Sequence, residues 1–211
     1  NMQLRLKYIK MLSDYCLSLK EYSHYDKLYK TIDSAMNLLI PVEINSQDDV
    51  AGTYAALKGE VLLDFVTDTS SETACEISET VLEFYHHVSK PKKTLLCRFL
   101  TKAARCFCQN EKWEKAEEYI VQAENLMKDC DINDIENRLC LGELYTLKGR
   151  YYHFTPLKWP NNYEAYSYSK TMEAFQIAKQ LLEGGINFNP VLFKKKLLDL
   201  HRAKLSFLKV Y

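Results

Sequence analysis

NEKWEKAEEYIVQAENL, residues 110–126, is a charged helical stretch whose apolar stripe carries Trp113, Ala116, Ile120 and Ala123. Ala116 and Ala123 stand a heptad apart on that stripe, and side chains so small on the packed face of a helix mean that a second helix passes close by. The stretch predicts helix-on-helix packing, and the rest of the chain extends the pattern. Apolar residues recur at helical spacing over 3–21, 24–39, 48–66, 71–89, 92–109, 112–128, 134–153, 163–183 and 190–210. Breaks fall at Pro41, DTSS (68–71), KPKK (90–93), KDCDIND (128–134), FTPLKWPNN (154–162) and EGGINFNP (183–190). Each break holds a proline, paired glycines or a capping Ser or Asp, so the nine helices are expected as four hairpins and one more.

Composition agrees. Six glycines and five prolines among 211 residues, with 47% hydrophobic residues, suit long helices on short connections and one continuous all-α domain over 1–211. Lys plus Arg and Asp plus Glu are both 28, so no net charge draws the chain to nucleic acid or to an anionic membrane. Electrostatic recognition must be local, and nucleic-acid binding ranks behind protein binding. No uncharged apolar run of about 18 residues occurs, and no signal-peptide segment opens the chain, so neither membrane insertion nor secretion is expected. The odd set of seven cysteines, scattered through helical patterns, reads as free thiols in a reducing compartment, nuclear or cytoplasmic. A chain opening Asn1-Met2 and ending LSFLKVY, without the polar cap a terminal repeat needs, suggests a piece of a longer protein.

The chain is also self-similar. In LSDYCLSL (12–19), ALKGEVLL (56–63), TKAARCFC (101–108) and TLKGRYYH (146–153), the small residues Cys16, Gly59, Ala104 and Gly149 recur at intervals of 43, 45 and 45. Leu19, Leu62, Phe107 and Tyr152 follow three positions later. The second helix of each hairpin repeats a four-then-three spacing: Leu28, Ile32, Ala35; Ala74, Ser78, Val81; Ala116, Ile120, Ala123; Ala174, Ala178, Leu181.

With Leu100, Ala104, Phe107, Trp113, Ala116, Ile120 and Ala123 all at its positions, the third hairpin resembles the tetratricopeptide repeat family (TPR), and Tyr145, Gly149 and Tyr152 extend the likeness into the fourth. The resemblance implies an α-solenoid of about four antiparallel helical hairpins plus a C-terminal helix. Ala104 and Ala116 would then meet within a hairpin, and Ala123 would accept the next one. The intervals exceed the family's roughly 34 residues and no proline closes the repeats. A HEAT-like repeat and a compact bundle are the alternatives.

Motifs for chemistry are weak. DCDINDIENRLC (129–140) starts like a calcium loop but has Asp134 where the loop's glycine belongs and Cys140 where its bidentate glutamate belongs, so it reads as a capping linker. Cys106 and Cys108 point to different faces of one helix and do not share a metal. Glu83-x-x-His86 lacks the second such motif a di-iron bundle requires, and no phosphate-binding glycine loop is present. No cofactor and no enzymatic activity are expected. FTPLKWPNNY (154–163) is either a recognition loop or a flap over the fourth hairpin. The basic amphipathic segment 190–210 is expected to cap the last hairpin rather than bind a membrane.

The function expected is non-enzymatic: a scaffold that holds a peptide or helix of a partner protein in its concave groove. The alternative is a structural segment of a larger chromosome-associated or cytosolic assembly. In the family the groove is lined at fixed offsets from the small residue of each first helix. The resemblance therefore implies Arg98, Thr101, Lys102, Arg105 and Cys108 from the third hairpin, with Glu143, Thr146, Leu147, Arg150 and His153 from the fourth. Arg98, Lys102, Arg105 and Arg150 form a basic group suited to a carboxylate or acidic segment of that partner. The competing expectation is that all four are ordinary solvated charges, paired with Glu117 and Glu118.

Overall fold

The computed structural model describes residues 93–155 and 163–209, with the backbone alone at 163–166, together with Cys75, Ser78, Glu79 and Leu82. These residues are helical apart from short connections, and the expected helices 3–21, 24–39 and 48–66, and most of 71–89, lie outside them. Five helices follow one another: α1 Lys93–Gln109, α2 Trp113–Met127, α3 Ile135–Phe154, α4 Tyr163–Gly185 and α5 Pro190–Leu208. Each agrees with its expected counterpart to within two residues.

Local chemistry sets the ends. α1 stops because Glu111 turns into the left-handed region at φ 58°. The Lys112 amide then donates to the Phe107 carbonyl (3.0 Å) and the Glu111 amide to the Cys108 carbonyl (3.2 Å). This is a Schellman ending with glutamate where glycine is usual. α3 starts at Asp134, whose carboxylate accepts from the Asn137 amide (2.9 Å), and Asp131 accepts from the Asn133 amide (2.9 Å). Within the calcium-like stretch Asp134 thus serves as the helix cap and Asp131 closes the turn before it. α5 starts with Asn189 accepting from the Leu192 amide (3.1 Å) and Pro190 in the first turn, where its missing N–H costs nothing.

The paired glycines act differently from expectation. No described glycine has a positive φ, and α4 runs through Gly184 to Gly185 rather than stopping at Glu183. A β-carbon on Gly185 would overlap the Phe193 ring and one on Gly184 the Arg138 guanidinium. Close approach to the buried Phe193 ring, rather than a left-handed turn, favours glycine at 185, whereas the tip of Arg138 can move away from 184.

Pairwise contacts fix the directions. Gly142 faces Leu182 and Gly149 faces Phe175, so α3 and α4 are antiparallel. α4 and α5 are antiparallel too, with Gly185 against Phe193 and Phe175 near Phe207 (6.3 Å between ring centres). α1 and α2 meet through an edge-to-face pair, Phe107 and Tyr119 (5.0 Å). α1 runs beside α3, where Thr94 donates to Glu136 (3.3 Å) and Cys140 donates to the Thr94 carbonyl (3.5 Å). α3 in turn runs parallel to α5, linked by Glu143 with Lys196 and by His153 with Phe207. α1, α3 and α5 therefore stand in a row.

Two apolar clusters result. The first joins α1, α2 and α3 through Phe99, Phe107, Ile120, Met127 and Leu144, with Cys75 and Leu82 beneath; the second joins α4 and α5 through Phe175, Leu182, Phe193 and Phe207. Fully burying each such side chain contributes about 1.5–3 kcal/mol. Ala104, Ala116 and Ala123 are wholly buried, as the heptad of alanines requires, and Ser78 is buried as well. In the fourth hairpin Tyr151 is buried in the core and Tyr152 packs against it half-buried, with the Lys148 ammonium 5.8 Å from the centre of the Tyr152 ring.

Candidate partner-binding cavity

On the face formed by the row of α1, α3 and α5 lies a cavity of about 250 Å3. α1 supplies Arg98, Thr101, Lys102 and Arg105; α3 supplies Glu143, Thr146, Leu147 and Arg150; α5 adds Lys196 and Asp199, and Leu182 of α4 closes the floor. Spacings of three, four and seven put each set on one side of its helix. Most of the residues that the resemblance implied therefore meet around one space.

Five of these side chains are basic and two acidic. Lys196 is paired with Glu143, both about a quarter exposed, and Asp199 lies 3.7 Å from Arg202. Burial foremost, then the neighbouring Arg105, lowers the pKa of the Arg150 guanidinium, with Asp199 partly offsetting them. A guanidinium keeps its proton through any physiological pH. Arg150 is thus a cation held half-buried beside another cation, an arrangement that an arriving anion relieves. The threonine hydroxyl protons are used within their own helix: Thr101 donates to the Cys97 carbonyl and Thr146 to the Gly142 carbonyl, both at 2.8 Å. The walls are cationic and the floor, at Leu147 and Leu182, is apolar and buried.

Two implied residues lie elsewhere. Cys108 packs on the core formed by α1, α2 and α3 near Tyr151, and burial pushes its thiol up to about 12. His153 packs edge-to-face on Phe207 (5.0 Å) beside Phe154 (4.3 Å), and burial lowers its pKa. Both stand four positions beyond the small residue, where neighbouring aromatics cover the helix. Glu118 pairs with Lys115 (3.2 Å) within α2 and Glu117 interacts with Tyr151, so the carboxylates in the basic group are Glu143 and Asp199 instead. Lys196 and Asp199 were missed because no small residue at a constant interval marks α5: Ala203 follows Gly149 by 54 positions, not 45.

Compared with known protein families, with curated proteins and with solved structures, the chain matches none. Among the described residues, no group of His, Cys, Asp and Glu is placed to hold a metal ion, and no helix is long and apolar enough to cross a membrane.

Proposed function

We propose that the chain is a TPR-like α-solenoid and a non-enzymatic interaction scaffold, which holds an acidic segment of a partner protein against the row of α1, α3 and α5. One observation carries this reading: a cavity with five basic and two acidic side chains in a protein whose charges, these included, cancel at 28 against 28. The parallel row of first helices and the buried alanines at the hairpin crossings support the repeat reading. The six described cysteines are free thiols, which suits a nuclear or cytoplasmic location.

The test uses a fluorescein-labelled oligoglutamate and the full chain, read by polarisation. Lys102→Glu with Arg105→Glu replaces two half-buried or exposed charges and leaves the core untouched. We expect the double variant to melt like the parent and to lose most of the binding. Raising salt from about 0.1 M to about 1 M, which shortens the screening length from ~10 Å to ~3 Å, should weaken the parent complex. Binding unchanged by both would reject the cavity as the site.

A further inference from the structure

We infer that the outer side of α5, away from the cavity, is a second docking surface, and that its occupant is an amphipathic helix of a partner protein with an apolar seam and acidic flanks. The inference goes beyond the cavity reading and does not depend on it. α5 packs on α3 and α4 through a single strip, Phe193, Leu197, Leu200, Ala203 and Phe207, all buried. Val191, Leu198 and Leu205 lie on the other side, 82%, 50% and 59% exposed. They stand seven residues apart, so they fall in one line along the helix, about 21 Å from first to last at 1.5 Å per residue.

The setting and the width of that line favour a helix as its occupant. α1 is covered by α2 and α3 by α4, and the described residues hold no such second helix for α5. Lys195 and Arg202 border the line on one edge at the same interval, with Lys209 seven positions further on, and Lys194 and His201 border the other. All five are exposed. An apolar line one residue wide, bordered by charge on both edges, meets the ridge of another helix. A helix lying in a membrane interface presents a broad apolar face instead.

Charge decides which helix. Asp199, the one acid of α5, lines the cavity and offsets only Arg202, 3.7 Å away. Lys194, Lys195 and Lys209 take part in no ion pair among the described residues. A second copy of the chain would bring the same cations to the seam whether it ran parallel or antiparallel, and like charges along a seam oppose pairing. Acidic flanks supply the opposite sign at the same seven-residue interval, which gives both attraction and register.

The experiment uses two fluorescein-labelled peptides of three heptads, alike in carrying leucine at the seam positions and differing in glutamate or lysine at the flanking ones. By polarisation with the full chain, the glutamate-flanked peptide should bind about tenfold or more tightly than the lysine-flanked one, since like charges placed across an interface cost several kcal/mol. Leu198→Gln with Leu205→Gln, both on the exposed line, should remove the binding in a chain that melts like the parent. Lys195→Glu with Arg202→Glu should reverse the preference toward the lysine-flanked peptide, which loss of folding cannot imitate. Equal binding of the two peptides, or binding of neither, would overturn the inference. Binding lost in Lys102→Glu with Arg105→Glu, but kept in Leu198→Gln with Leu205→Gln, would place the peptide in the cavity and overturn it too. A parent chain that sediments as a dimer, with the double Gln variant a monomer, would make a second copy the occupant. Binding to vesicles of phosphatidylserine and phosphatidylcholine that the same variant loses would make it a lipid surface. Either result would overturn the partner helix.

Discussion

Lys196 of α5 reaches across to Glu143 of α3 and forms an ion pair at the edge of the cationic cavity, each side chain about a quarter exposed. The pair does two things: it ties the last helix to the row, and it removes one cation and one anion from the site's balance. Glu143→Gln should release Lys196 toward the cavity and raise affinity for the oligoglutamate probe. Because partly exposed pairs contribute little, stability should fall by only about 0.5–1 kcal/mol. Polarisation and urea unfolding of the same variant check both parts.

Gly149 lies against the Phe175 ring so closely that a β-carbon would overlap it, and Phe175 is itself buried. Alanine in place of glycine gains about 1 kcal/mol of helix propensity, but overpacking a fixed aromatic costs about 1–3 kcal/mol. Gly149→Val, which adds bulk without the full propensity gain, should therefore destabilise clearly. Phe175→Leu in the Gly149→Val background should recover part of the loss, a coupling that thermal melts of the cycle would measure.

Glu111 occupies the left-handed position that closes α1, at φ 58°. A residue with a β-carbon is strained there by about 1 kcal/mol, and glycine is not. Glu111→Gly should raise stability by at most about 0.6 kcal/mol after the roughly 0.4–1 kcal/mol of added freedom of the unfolded chain is counted. Chemical denaturation gives the answer directly.

His153 carries a pKa below its usual 6.5 because it is buried against aromatic rings. The unfolded chain takes up a proton near pH 6.5 as pH falls, and the folded chain does so only at lower pH. Stability from this residue is therefore full above 6.5 and declines as pH drops from there toward the lowered folded value, then levels. His153→Phe should flatten that decline relative to the parent, as measured by denaturation midpoints across the range.

Why was so much of this legible, and why did the rest escape? Helix bounds followed from periodicity and from caps such as Asp134 and Asn189, whose side chains act within three residues. The α1 and α3 lining was legible because Ala104 and Gly149 mark the crossings from which those offsets count, and both are buried. Cys108 and His153 escaped because which side of a helix end is covered depends on Tyr151 and Phe207, residues of neighbouring helices. Lys196 and Asp199 escaped because the register of α5 beside α3 is set by tertiary contact, through Gly185 against Phe193, and not by a repeat interval.

The central claim, that an acidic segment binds in the cavity of α1, α3 and α5, is tested most directly by mapping where it binds. The measurement is the arginine Nε–H and backbone spectrum of the 15N-labelled chain during titration with oligoglutamate. The account predicts that the side-chain signals of Arg105 and Arg150 move first and saturate together, with signals on α2 still. Shifts confined to α2 or to other surfaces, with those two arginines unmoved at saturation, would contradict it.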